Sequence, residues 1–169
     1  MRCANDVVIE HGYRPGAIGR ITEMHASFYA RHAGFGQFFE SQVAAGLADF
    51  AGRLAHPGNG LWVALQAQRI VGSVAIDGED LGNNRAHLRW FIVDEGVRGG
   101  GTGRTLLHEA LHFCDRAGYT ETHLWTFDIL HAARRLYEGS GFTLAGESQG
   151  TQWGEAVTEQ LFVRRRDGQ

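Results

Sequence analysis

The run Arg98-Gly99-Gly100-Gly101-Thr102-Gly103-Arg104 sets two arginines around four glycines and a threonine. It follows an apolar run, Leu88 to Val93, and precedes a helix-periodic segment, Thr102 to Ala117. A glycine-rich turn that ends a strand and opens a helix suits a phosphate. The first N–H groups of a helix have no partner within it, and the macrodipole is positive there. Glycines let that backbone approach an anion, and the arginines add charge and donors. The expected chemistry is the binding of a ligand with a pyrophosphate. A P-loop is excluded, because it needs Lys after its last Gly and this chain contains no Lys. The dinucleotide fingerprint fails as well, since it needs Gly where Arg104 stands, or Leu106 when counted from Gly101.

Arg98, Gly101 and Gly103 instead fit Arg-x-x-Gly-x-Gly, which resembles the coenzyme A pyrophosphate loop of the GNAT superfamily of N-acetyltransferases. Downstream, Leu130 to Phe142 looks like the Asn-x-x-Ala-x-x-Leu-Tyr-Glu-x-x-Gly-Phe segment of the same superfamily. Gly12-Tyr13-Arg14-Pro15-Gly16, and Leu124-Trp125-Thr126 with Asp128, are similar to the acetyltransferase half of winged-helix regulators of the MarR type. The similarity runs from Ile9 to Val163 and leaves no room for a DNA-binding half, so a free-standing member is expected.

The resemblance implies acetyl-CoA as co-substrate and direct transfer of acetyl to a primary amine of a small molecule, amino acid or peptide. Arg98, Gly99, Gly100, Gly101, Thr102, Gly103 and Arg104 would take the pyrophosphate. The main chain of Phe91, Ile92 and Val93 would pair with the pantetheine arm, and one N–H would polarise the thioester carbonyl. Leu130 and Ala133 would border the same arm. Leu130 replaces the usual Asn and cannot hydrogen-bond the pantetheine amide, a role His131 could take over. Tyr137 would lie near the sulfur and protonate it; read without the resemblance, it is a tyrosine packing a helix on a sheet. His87, four residues before Phe91, stands where some members carry a catalytic Glu, and an imidazole titrating near 6.5 can deprotonate an ammonium. Its plainer reading is the polar face of a strand shared with Arg89. Arg89 could hold a substrate carboxylate. Glu23 and His25, rivals for the base, join Arg89 and Trp125 as the expected acceptor-binding set.

Two other function classes compete. His108-Glu109-Ala110-Leu111-His112 is H-E-x-x-H, with both imidazoles on one helical face at zinc-ligand spacing. The apolar stripe of that helix lies between Leu107 and Ala110, so both histidines should face solvent, and no third ligand is identifiable. No metal is therefore expected. A non-catalytic acyl-CoA-binding module is the other alternative. No Cys or Ser with a nearby base stands out, so a covalent acyl-enzyme is not favoured. Gly139-Ser140-Gly141 is not a nucleophile elbow, because Glu138 occupies the place of its first Gly.

The elements that must position these residues follow from periodicity. A strand over Val7–Tyr13 stops at Arg14-Pro15-Gly16, and Ile18, Ile21, His25 and Phe28 recur at helical spacing from Ala17 to Arg31. Val43, Leu47, Phe50 and Leu54 give a second helix that ends before His56-Pro57-Gly58-Asn59-Gly60. Leu61–Leu65 and Ile70–Ile76 predict a hairpin, and Arg85–Val93 the strand that feeds the glycine turn. After the Thr102–Ala117 helix come a strand at Thr122–Thr126, a helix at Ala132–Ser140 with Gly141 just past its end, and strands at Phe142–Ala145 and Glu159–Val163. The fold class expected is α/β or α+β; the resemblance makes it a mixed, mostly antiparallel sheet of about seven strands flanked by about four helices.

At 169 residues, 43% of them hydrophobic, the chain suits one domain, expected to span 1–169. A net charge of −3 gives no electrostatic footprint for nucleic acid or an anionic membrane. Arg164-Arg165-Arg166 reads as a solvated tail. Cys3 and Cys114 read as reduced thiols, and with neither signal segment nor membrane span the chain is expected in the cytoplasm. Trp153, Leu161 and Phe162 are expected to be exposed and could cover a homodimer seam or the sheet.

Overall fold

The computed structural model describes residues 6–166; Cys3 lies outside them. The elements are β1 (Val8–His11), α1 (Ala17–Ala33), α2 (Gln37–Gly52), β2 (Gly60–Gln66), β3 (Arg69–Asp77), β4 (Arg85–Val93), α3 (Thr102–Ala117), β5 (Glu121–Phe127), α4 (His131–Gly139), β6 (Thr143–Gly150) and β7 (Val157–Arg165). The seven strands form one sheet in the order β1-β2-β3-β4-β5-β7-β6. Every neighbouring pair is antiparallel except β4 and β5.

Period-two patterning decides which face meets which helices. Leu61, Val63 and Leu65 of β2 pack with α1 and α2 residues such as Ile21, Leu47 and Phe50. The alternate residues Trp62 and Ala64 pack with Leu106, Leu107 and Ala110 of α3. β3 is buried on both faces from Ile70 to Asp77 because helices cover both. Left-handed glycines end three helices, Gly34 after α1, Gly118 after α3 and Gly141 after α4. After α4, Phe142 N–H donates to Tyr137 O and Gly141 N–H to Glu138 O, a Schellman motif that needs the left-handed φ of 97° at Gly141.

The expected element order holds, with four corrections. α2 ends at Gly52, so Leu54 packs from the following turn and not from the helix. β6 runs to Gly150 rather than stopping at Ala145. Arg164 and Arg165 belong to β7, where Arg164 makes two 2.9 Å hydrogen bonds to Asp115 and Arg165 pairs with Glu121 at 3.4 Å. Of the residues expected at the surface, Phe162 is fully buried, and Trp153 and Leu161 are half-buried. Cys114 lies on the inner face of α3 as its position on the stripe predicts, and burial pushes its thiol up to about 12.

Two features of β4 shape the cleft. It pairs with β5 only through Arg85–Glu121, Ala86–Thr122 and His87–His123, after which the strands part. Its register against β3 also slips between Ser73 and Ala75, leaving Trp90 and Phe91 opposite Val74. Trp90 sits in the bulge at φ 48°, a left-handed conformation costing about 1–3 kcal/mol in a non-glycine residue. Ser73 Oγ–H donates to Trp90 O at 2.7 Å, and Phe50 packs its ring 5.4 Å from the indole, so neighbours hold the strained residue.

Candidate active site

Where β4 and β5 part, a cavity of about 790 Å³ opens beside the N-terminus of α3. Its walls include Arg98, Gly99, Gly101, Thr102, Gly103 and Arg104, six of the seven residues expected to take a pyrophosphate. Gly100 faces a neighbouring cavity of about 410 Å³ on the β1 side. Gly101 caps α3 at φ 83°, and no side chain bonds the first N–H groups of the helix. Such a helix start can accept an anion. Arg98 is fixed at the rim: its Nε donates to Val93 O at 3.0 Å and its guanidinium lies 4.7 Å from the Phe28 ring centre.

Phe91, Ile92 and Val93 all line this cavity, but their main chains differ. Asp94 N–H donates to Val71 O, and Val93 lies opposite Gly72. Antiparallel alternation then turns the polar main-chain atoms of Ile92 toward β3 and those of Phe91 and Val93 toward the parted strands. Ile92 is thus the one of the three whose backbone does not face the cleft. From α4, Leu130, His131, Ala133 and Tyr137 complete the wall. Leu130 sits at the N-cap without a side-chain cap and packs on the aromatic cluster beneath. Tyr137 is buried beside Phe91, Phe142 and Phe162, and burial raises its phenol well above the ordinary value, so it keeps its proton.

A second cavity, of about 330 Å³, lies on the far side of Tyr137. It brings together His25, His87, Arg89 and Trp125, four residues expected to act on or bind an acceptor. The two cavities have Tyr29, Phe91 and Tyr137 in common. Burial lowers His25 to about 4 against a hydrogen bond from its Nδ1–H to Ile21 O at 2.8 Å. Its imidazole is therefore neutral near pH 7. Glu23 does not reach this cavity; it is exposed and pairs with Arg20 at 3.0 Å, while Arg20 also pairs with Asp94 at 2.7 Å. The expected role of Glu23 in acceptor binding fails because that helical position points away from the cleft.

Sequence reasoning passed over the acidic residues that hold this wall. His87 Nδ1 lies 2.6 Å from Asp80 Oδ2, and the ring meets Trp125 edge-on at 4.9 Å. Asp77, fully buried, accepts from the N–H groups of Glu79 and Asp80 and so fixes the turn that carries Asp80. Burial alone would push the Asp77 carboxyl up; hydrogen bonds from Arg53, at 2.7 and 3.2 Å, and from the Glu79 N–H hold it below the ordinary range. Arg89 lies 3.4 Å from Asp77 and 3.8 Å from Asp80, with its guanidinium 4.0 Å from the Trp90 ring centre. It therefore has two carboxylates already, which weakens its expected role as a substrate-carboxylate anchor. A cluster such as Asp77-Gly78-Glu79-Asp80 reads as an ordinary exposed turn in sequence, and its structural role follows from the burial of Asp77.

His108 and His112 stack at 6.3 Å on the exposed face of α3, as the stripe predicts. Among the described residues, no three His, Cys, Asp or Glu side chains cluster as metal ligands. No described helix is long and apolar enough to cross a membrane.

The profile of the Acetyltransferase (GNAT) family matches residues 21–142. N-acetyltransferase 8B of Homo sapiens is 33% identical over 107 residues, 62% of this chain and 47% of that protein. N-acetylaspartate synthetase of Danio rerio is 28% identical over 127 residues, 75% of this chain and 45% of that protein. The chain thus spans about half the length of the curated relatives it matches. Among solved structures, yncA from Salmonella typhimurium, determined with its cofactor acetyl-CoA, superposes with a TM-score of 0.75 at 15% identity over 97% of this chain and 96% of that one.

Proposed function

The chain belongs to the Acetyltransferase (GNAT) family, and we propose that it transfers an acetyl group directly from acetyl-CoA to a primary amine of a small molecule, amino acid or peptide. The observation that carries this reading is the meeting of two cavities at Tyr29, Phe91 and Tyr137. One cavity ends on unpaired helix N–H groups and two arginines, as a pyrophosphate requires. The other has imidazole, guanidinium and ring walls, as a small organic acceptor requires. The acetyl-CoA-bound neighbour supports the first assignment, and relatives named for N-acetylaspartate synthesis support an amino-acid-sized acceptor.

Each residue then has a task. The α3 N-terminus, Arg98 and Arg104 bind the pyrophosphate, and the Phe91 main chain and the Val93 N–H align the pantetheine arm. The Phe91 N–H, at the bulge, polarises the thioester carbonyl. His87, held by Asp80, takes one proton from the ammonium. As the amine nitrogen bonds the acetyl carbon and the C–S bond breaks, the nitrogen releases its second proton to solvent and the Tyr137 phenol protonates the departing sulfur. Tyr137 recovers its proton through solvent. The histidine pair on α3 takes no part. The chain acts as one domain in the cytoplasm, and its likeness to the MarR-linked acetyltransferases rests on residues 12–16 and 124–128.

The test is thermal unfolding and thiol release with purified protein. Acetyl-CoA at 100 times its dissociation constant should stabilise the fold by roughly 2.7 kcal/mol, and the Arg98→Ala/Gly101→Ala variant should lose that gain. Free CoA should appear only with both acetyl-CoA and an amine present. Stabilisation without CoA release from any amine would leave a binding module; no stabilisation would remove the cofactor site.

A further inference from the structure

The second cavity is walled mostly by rings. Beyond the shared Tyr29, Phe91 and Tyr137, it is lined by Phe39, Trp90, Trp125, Phe127 and Trp153. Phe39 and Trp153 meet at 5.4 Å with their planes nearly perpendicular, and Tyr29 meets Phe127 at 5.6 Å in the same way. The cationic side chain of the wall is already matched. Arg89 faces Asp77, Asp80 and the Trp90 ring, and His87 faces Asp80; the Glu159 carboxylate accepts from the neutral Gln152 amide at 2.9 Å. A desolvated anionic substituent on the acceptor would need an uncommitted cation in this wall. Flat apolar groups, in contrast, gain both burial and ring stacking there.

We infer that the acceptor is a primary amine carried on a flat aromatic group, an arylalkylamine or an aromatic amino acid, with its ring between Phe39, Phe127 and Trp153 and its nitrogen toward Phe91 and Tyr137. This rests on the acetyl-transfer reading above. The volume of about 330 Å³ lies near the lower end of the ~300–1,000 Å³ usual for small-molecule sites, which suits one such molecule and not a folded protein segment. A carboxylate on the acceptor would have to displace Asp77 or Asp80 from Arg89. The bare arylalkylamine is therefore the better substrate of the two sources.

The experiment measures CoA release with tryptamine, L-tryptophan, L-aspartate and glycinamide, together with equilibrium binding of each amine to the CoA-loaded protein. Tryptamine should exceed aspartate and glycinamide in kcat/KM by about ten-fold or more, the size of a small apolar discrimination. Trp153→Ala should raise the KM for tryptamine by a similar factor, and Trp153→Phe, which keeps a ring and guards against misfolding, should restore most of it. Faster turnover of aspartate or glycinamide would overturn the aromatic acceptor and leave acetyl transfer standing. If no amine turns over, equal binding of all four to the CoA complex would likewise overturn it. Failure of acetyl-CoA itself to bind would instead remove the underlying reading. L-tryptophan outperforming tryptamine would assign Arg89 to the carboxylate and overturn the preference for the bare amine.

Discussion

His25→Gln is the most discriminating single change, because the buried imidazole ties stability to pH and also bears on the choice of base. The His25 ring is only 7% exposed, and its burial lowers the folded value to about 4 from 6.5. Between those values the unfolded chain holds one proton more than the folded chain. Stability therefore rises with pH across that window, by about 1.4 kcal/mol per unit for one proton. Nothing is lost at pH 7, where both states leave the ring neutral. On going from pH 7 to 5, His25 alone should remove about 2 kcal/mol. Gln can keep a donor near Ile21 O but cannot take a proton. Urea unfolding followed by tryptophan fluorescence, at half-unit steps from pH 5 to 7, should show the wild-type and variant stabilities converging toward acid by that amount. Parallel curves would mean that the ring is protonated in the folded state and the burial argument is wrong. The same variant bears on catalysis. A group titrating at about 4 cannot set a midpoint near neutrality in kcat/KM. An acid limb that shifts in His25→Gln but not in His87→Ala would reverse the assignment of the base.

Other expectations can be checked in parallel. Tyr137→Phe keeps the contacts with Phe91, Phe142 and Phe162 and should lower kcat by about 10²–10⁴, with single-turnover CoA release as readout; the lower end is favoured because a thiolate of ordinary pKa, about 8.5, leaves readily. Asp80→Asn removes the carboxylate 2.6 Å from His87 that orients its ring and should lower kcat/KM for the amine, while the KM for acetyl-CoA is unchanged. Arg164→Ala breaks the double hydrogen bond that, with the burial of Asp115 opposing it, holds that carboxyl below its usual range. The stability lost should be fully present above about pH 4 and should shrink as the pH falls further, so acid-unfolding curves of variant and wild type should draw together.

Much of the frame was legible because it is local. The glycine turn, the α3 stripe and the alternation in β2 each write their partner face into neighbouring residues. Gly141 and Gly118 marked helix ends for the same reason. What could not be read depends on residues far apart. The bulge at Trp90 carries no glycine; it exists because Ser73 and Phe50, from β3 and α2, hold it. Glu23 and His25 are two residues apart on one helix, yet one meets Arg20 at the surface and the other enters the cleft. That split, by contrast, was open to periodicity: His25 shares the stripe of Ile18, Ile21 and Phe28, and positions two apart on a helix face opposite sides. The partners of Arg89 and His87 come from a turn whose conformation is set by the burial of Asp77, a tertiary fact. Arg164 reads as a tail until β7 is seen to run past Val163.

Mechanically, the sheet is two plates, one of four strands and one of three, fastened by three rungs with the fully buried Ala86 at the middle. Torque that splays the plates concentrates on that short seam. A larger residue at 86 would act as a crowbar, altering both cavities while touching neither. A molecule seated between Phe91 and α4 would be a second fastener, farther from the seam and with more leverage. Its arrival should slow amide exchange in both plates together, including strands it never contacts.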